Sequence, residues 1–371
     1  MLKNPPPMHF EKNDQPLHAA LNAAAQAWLE AHGEHRLADA GMIAKMLFLL
    51  ALGGLAYALC FSRETAAGFV GCYFVFITAA LLLAINVIHD ASHNAFLRGA
   101  RANRLLNMLI SLPLGMDPEC WRVRHVIFHH PYTNVQGYDL DIEENGVLRQ
   151  TPFQRWKPFM RWQRFYWPLV AAMTFPTIIW VFDWQDRAGL TPVGTRMHTQ
   201  GWRGWAGFLL AKAAHVTLSL GLPLYFCAEQ IGAGTIVFAY FFSQTGASLL
   251  FVLLILGTHW AKGKFFQAPP DGAFAHGRYE HQFATTFDWK TTPDAIGYWL
   301  GGMNMHLTHH LFPDWSHRHY VALGGIIAKI APQYGIRYDY AGLGAFMRDQ
   351  QRFLAKMGRN REDGLADENT A

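Results

Sequence analysis

Two stretches, 65–88 and 230–258, carry no charged side chain. A helix needs roughly 20 apolar residues to cross a bilayer. Both runs pass that length and predict helical spans. Three further uncharged or nearly uncharged runs lie at 46–62, 165–182 and 205–228, the last interrupted by Lys212. Half of the chain is apolar, yet its mean hydropathy is +0.05. Large polar segments must therefore accompany the spans.

The first two runs are separated only by Ser62, Arg63 and Glu64, and the last two meet around Glu229 and Gly232. Both pairs read as hairpins. Lys45 sits at the edge of the first run, where it is expected to snorkel toward the interface. The run 165–182 contains Pro168 and Pro176 and is framed by Trp and Tyr. The apolar piece 105–116 is broken by Pro113 and Gly115. Both are read as interfacial or dipping helices.

Polar punctuation beside the spans is dominated by histidine. Of 19 histidines, eight fall into three windows: His89-Asp-Ala-Ser-His93, His125-Val-Ile-Phe-His129-His130 and His306-Leu-Thr-His309-His310. Spacings of three and four place imidazoles on one helical face. On an α-helix His130 would be turned about 100° from His129. Neutral imidazole ligates iron, zinc and copper. Eight imidazoles exceed one octahedral shell, so two metal ions are expected. His259, at the exit of the fifth run, is a ninth candidate. His281 and His317 are possible additions. Asp90, Asn134, Asp139, Asp141, Asp288 and Asn304 are candidates to orient the imidazoles from behind, with Asn304 also within sequence reach of a metal-bound water. A lone histidine at a helix end is more often a cap, so His9, His18, His32, His35, His198, His215 and His276 are set aside.

A shared site puts all three clusters on one side of the membrane. The chain must then cross an even number of times between His130 and His306, so one of three runs there does not span, and 165–182 is the choice. Arginines crowd the segment 89–164, among them Arg98, Arg101, Arg104, Arg122 and Arg124, whereas the hairpin tips hold only Arg63. The positive-inside rule makes the histidine side and both termini cytoplasmic, in a bacterial inner membrane or the endoplasmic reticulum. The expected organisation is an all-α integral membrane protein. A cytoplasmic segment 1–42 precedes a membrane domain 43–340 with spans at about 46–62, 65–88, 205–228 and 230–258, and interfacial helices at 105–116 and 165–182. The histidine-rich cap carries the metals, and 341–371 forms a C-terminal helix and a polar tail that is disordered from about 355. The net charge of +4 gives no sign of nucleic-acid binding. Cys60, Cys72, Cys120 and Cys227 lie far apart and read as buried thiols. No secretory signal peptide is expected in the first 42 residues, which are polar and contain Pro5-Pro6-Pro7.

With these residues in view, the chain from about Leu37 to Tyr340 resembles the membrane fatty acid desaturase family. The likeness rests on the three clusters with their flanks: Asn94-Ala-Phe96, Pro131-Tyr-Thr-Asn-Val-Gln-Gly-Tyr-Asp139 and Gly301-Gly-Met-Asn-Met305 with Leu311-Phe-Pro313. The segment His281 to Trp289 is also similar. The branch is that of acyl-CoA and front-end desaturases, including linoleoyl-CoA desaturase-like proteins. That branch usually has Gln at the position of His306. Many front-end members also carry a fused cytochrome b5 domain, for which residues 1–42 offer no haem signature. The resemblance implies two iron ions, for which zinc could substitute in purified protein, O2 as oxidant, and an acyl-lipid or acyl-CoA substrate. It also implies surrounding membrane lipids and electrons from a separate carrier of ferredoxin or cytochrome b5 type. A hydroxylase, a carotenoid ketolase or an acetylenase would use the same clusters. A metal transporter is the reading from another class, disfavoured because transporters place ligands near the bilayer midplane. His129→Ala is expected to abolish turnover and lower bound metal while the protein still inserts, as checked by metal analysis of the purified variant.

Overall fold

The computed structural model describes residues 8–338 and 340–360. Among these, four helices are long and apolar enough to cross a membrane: Ala40–Cys60, Ala66–Ser92, Gly201–Ile231 and Ala233–Trp260. The first pair is a hairpin whose starts are capped. Asp39 accepts from Met42 N at 2.8 Å, and Thr65 accepts from Gly68 N at 3.1 Å. Gly53 lets the two helices approach closely, because a Cβ there would sit 3.3 Å from that of Ala79. Tyr73 closes the bundle by donating to Ser219 O at 2.7 Å. Leu55, Leu210 and Phe226 remain exposed on the outer faces. On spanning helices such side chains face lipid.

Pro158–Ala172 and Thr174–Arg187 form a pair of helices bent by 58°. Pro168 and Pro176 remove two backbone donors along this stretch, the usual origin of a sharp kink. At the bend, Phe175 N donates to Ser248 Oγ at 2.9 Å. Ser248 lies 11 residues before His259, or about 16 Å along the last span, near half of a hydrocarbon layer about 30 Å thick. Both arms lead back toward the histidines. Gln163 bonds Arg149 N and Leu354 O near the second cluster's trailing loop and the C-terminal helix. At the other end, Asp183 accepts from Asp117 N, and Asp186 binds Arg124, next to His125. Both ends of this bent pair are thus tied to segments that flank the second cluster.

The piece 105–116 divides in two. Ala100–Ser111 is a helix that exposes Leu105, Met108 and Leu109. Leu114 and Met116 are instead buried in the bundle. Irregular backbone at that depth must be satisfied by protein groups. His215 Nδ1 lies 2.8 Å from Leu112 O, Gln244 Nε2 donates to Leu114 O at 3.1 Å, and Lys212 Nζ donates to Gly115 O at 2.7 Å. Gly115 has φ +84°, and a Cβ there would meet the His215 ring at 2.5 Å, so the tight turn requires glycine. Lys212 also donates to Ile179 O and to Asp183 Oδ2 at 2.7 Å. Its charge, which interrupts the fourth run, is thus fully partnered.

Residues before the first span do more than their polarity suggests. Gln15–His32 is a helix whose Leu17, Leu21, Ala25 and Leu29 pack with Leu307, Leu311, Phe312 and Leu323. It braces the third histidine cluster from outside. The C-terminal helix Leu343–Met357 sets Phe346 against Trp289 and Phe353 against Trp260. It runs past 355, where the polar tail was expected to begin, and the tail from 361 onward lies outside the described residues. Two short parallel strand pairs, His9–Glu11 with Ala273–Gly277 and Trp289–Lys290 with Ala341–Gly342, fasten the ends to the cap. They are the exceptions to the all-α reading.

Removing one partner of a buried ion pair typically costs about 3–5 kcal/mol. Asp183→Ala is therefore expected to lower the thermal midpoint of the purified protein in detergent sharply. Lys212→Ala is expected to lower it as well, because Gly115 O and Ile179 O lose their donor and Asp183 its counter-charge.

Candidate metal centre

Two of the three clusters are delivered by a local departure from the regular α-helix. The second span changes to a π-helical turn, Ala84–Ile88, directly before His89–Ser92. Asn86 Nδ2 bonds both Leu82 O and Trp299 O, tying that turn to the approach to the third cluster. Gly301, with φ +66°, passes so close that a Cβ would stand 2.3 Å from Ile85 O. The second cluster occupies another π-helix, Val123–His129, which follows a short helix capped by Asp117. The third lies on His306–Leu311. That helix lacks a cap of its own, and Asp288 supplies it by accepting from Leu307 N at 2.7 Å and Thr308 N at 3.2 Å.

The ring nitrogens gather into two groups. In each, one nitrogen per histidine lies within 4.8 Å of the others: His89, His93, His125 and His309 form one, and His129, His259, His306 and His310 the second. A third combination joins His125, His129 and Asp141. Of the adjacent pair, His309 belongs to the first group and His310 to the second. The second cluster departs from the α-helical expectation. His130 N bonds His125 O, five residues back, at 3.0 Å. This wider coil turns His130 toward His125, Nε2 to Nε2 at 3.2 Å, while His125 and His129 go to different groups. His130 Nε2 is also 2.9 Å from His309 Nε2, so it lies against the first group.

Several of these nitrogens are buried without any hydrogen-bond partner: both of His89, Nε2 of His93, His259 and His310, and Nδ1 of His306. A buried polar atom without a partner is costly. Burial and mutual repulsion hold His125, His306, His309 and His310 well below the ordinary imidazole range, and His130 likewise. Neutral, converging imidazoles are what a transition-metal ion requires. The donor set therefore fits two cations.

The candidates behind the rings fall into distinct roles. His129 Nδ1 is 3.1 Å from Asp139 and 3.4 Å from Asp141. Burial depresses His129, but these carboxylates outweigh it and hold the ring up at about 9, so a cation in the second group must displace its proton. Asp90 bonds His317 Nδ1 at 3.0 Å and faces His89 Nδ1 at 3.7 Å. Asn134 works on the backbone, donating to His259 O at 2.9 Å and Lys264 O at 3.1 Å. Asn304 Nδ2 is held by Trp289 O at 2.9 Å. His281 lies outside both groups, bonded to Thr133 O and His276, and His317 stands behind Asp90. Three contacts escape the sequence reading: Tyr320 OH at 2.8 Å from His309 Nδ1, Gln282 Oε1 at 2.8 Å from His310 Nδ1, and Thr286 Oγ1 at 3.3 Å from His259 Nδ1. Gln282 and Thr286 lie in the segment His281 to Trp289, which offered a signal. Tyr320 offered none.

Asp288→Ala strands two backbone donors and the hydroxyls of Thr308 and Tyr338. A buried unsatisfied group costs roughly 1–3 kcal/mol, so the variant is expected to lose metal and activity together. Elemental analysis beside a turnover assay checks this.

The sequence profile described as fatty acid desaturase matches residues 64–342. The sn-1 linoleoyl-lipid 6-desaturase of Synechocystis sp. is 26% identical over 360 residues, covering 91% of this chain and 94% of the relative. A protein of the same description from Arthrospira platensis is 24% identical, covering 68% of each chain. Acyl-lipid (8-3)-desaturase B of Dictyostelium discoideum is 24% identical, covering 95% of this chain and 78% of the relative.

Proposed function

From the premise that this chain belongs to the fatty acid desaturase family, we propose that it is an O2-dependent di-iron desaturase of lipid acyl chains. The observation that carries the metal assignment is the pair of four-histidine groups with unpartnered buried nitrogens. Family and relatives support desaturation of acyl lipids, and the relatives' names favour a chain esterified to a lipid over a thioester. In balance, –CH2–CH2–, O2, two electrons and two protons become –CH=CH– and two waters. Bound iron would supply the oxidising power that an unactivated C–H bond demands. His89, His93, His125 and His309 would hold one ion, and His129, His259, His306 and His310 the other, with His130 against the first.

The rest falls to the protein. Asp139, Tyr320, Gln282 and Thr286 fix ring orientations from behind, which tunes ligand basicity and geometry. Burial of eight of the nine histidines, with His93 partly buried, limits the access of bulk water to the oxidising centre. The spans present the substrate within a bilayer, where alkyl chains are already at home. The electrons come from a separate carrier of ferredoxin or cytochrome b5 type, on the cytoplasmic side that Arg98, Arg101 and Arg104 indicate. All three are exposed.

Expression in a host with a broad pool of electron donors, followed by gas chromatography–mass spectrometry of its fatty acids, tests this reading. A new unsaturated acid is expected with the native chain and not with His309→Ala. An added hydroxyl with no new double bond would instead make it a hydroxylase on the same scaffold.

A further inference from the structure

Lys45 belongs to the first span, yet it does not reach for the interface. It is 4% exposed, and its ammonium donates to Tyr298 O at 2.9 Å and lies 3.6 Å over the Tyr298 ring. Its remaining close partner is His317 Nε2, at 2.8 Å. An ammonium has donors and no acceptor. His317 must therefore accept at Nε2, which puts its own proton on Nδ1. That nitrogen faces Asp90 Oδ2 at 3.0 Å, and His317 N donates to the same oxygen at 3.1 Å. Asp90 Oδ1, left without a hydrogen bond, lies 3.7 Å from Nδ1 of His89.

The geometry points to Lys45 as a positioning residue for the first metal-binding group, acting through His317 and Asp90 on His89. The inference rests on the metal reading above. A buried cation is expensive and is kept where it is paired and has work to do. Here the charge selects one tautomer of His317. That tautomer locks one oxygen of Asp90 and aims the other at the Nδ1 edge of His89, leaving Nε2 of His89 for an ion. The line reaches the first group only. The second has its own carboxylates, Asp139 and Asp141, on His129. Lys45 touches none of the nine histidines directly, so loss of the residue acts on the orientation and basicity of His89 and not on ligand count.

The test uses the full-length protein loaded with iron and purified in detergent. Chelator-driven iron loss and the Mössbauer spectrum of both sites are recorded for the native chain, Lys45→Met and Lys45→Arg. Lys45→Met is expected to lose one of two irons at least tenfold faster and to change the spectrum of that site alone, and Lys45→Arg is expected to restore part of the retention. General destabilisation would move both sites together, and that result overturns the inference. So would native retention and an unchanged spectrum in Lys45→Met. Should Lys45→Met fail to accumulate, His317→Gln cuts the same line with Lys45 still on the Tyr298 carbonyl, and native iron retention in that variant also overturns it. A native chain that binds no iron removes the metal reading and this inference together.

Discussion

Nine imidazoles crowded into a dry site are not stable company by themselves. Several of their nitrogens are buried without a partner, and neighbouring rings oppose each other's protonation. An arrangement of this kind is low in energy only when cations take up the lone pairs. The surrounding structure serves that condition. Two π-helices re-aim rings that a regular helix would send elsewhere. Asp288, from outside the third cluster's helix, caps its start. The last span ends where His259 completes the second group.

A second demand comes from the bilayer, where stray backbone groups find no solvent. The chain interrupts its helices at 112–115 and again at Met173, and at both places side chains of other segments answer. Lys212, His215 and Gln244 take the carbonyls of 112–115, and Ser248 takes the amide of Phe175. The same residues that look out of place in apolar runs are what makes the irregular backbone possible. Asp183, through Asp117 N, and Asp186, through Arg124, tie the bent helix pair to the second cluster.

Much of this was legible in the residues. Uncharged runs marked the four membrane-length helices, because hydrophobic length is read directly from composition. The histidine windows announced a metal centre because chemistry of that density has few other uses. His259 could be added from the position of its span alone. Finer features were not legible. The π-turns at 84–88 and 123–129 have no local signature, so an α-helical wheel put His125 and His129 on one side and misplaced His130. Lys45 was assigned to the interface by its place at the edge of an apolar run, and its partners Tyr298 and His317 are over 250 residues away. The helix Gln15–His32 was hidden in a segment read only as polar, because its apolar stripe, Leu17, Leu21, Ala25 and Leu29, is one residue wide.

That stripe has an implication for how the protein is made. Its partners lie at 307–327, close to the other end of the chain. At about 5–20 residues per second of synthesis, the first helix waits on the order of tens of seconds with its apolar face uncovered. During that interval the four spans between the helix and its partners are inserting, and the first two histidine clusters are already present without the third. The site is thus finished late and in one act, when 306–327 folds under a helix made first. Until then the ribosome-bound chain displays both an adhesive helix and an incomplete set of metal-binding rings.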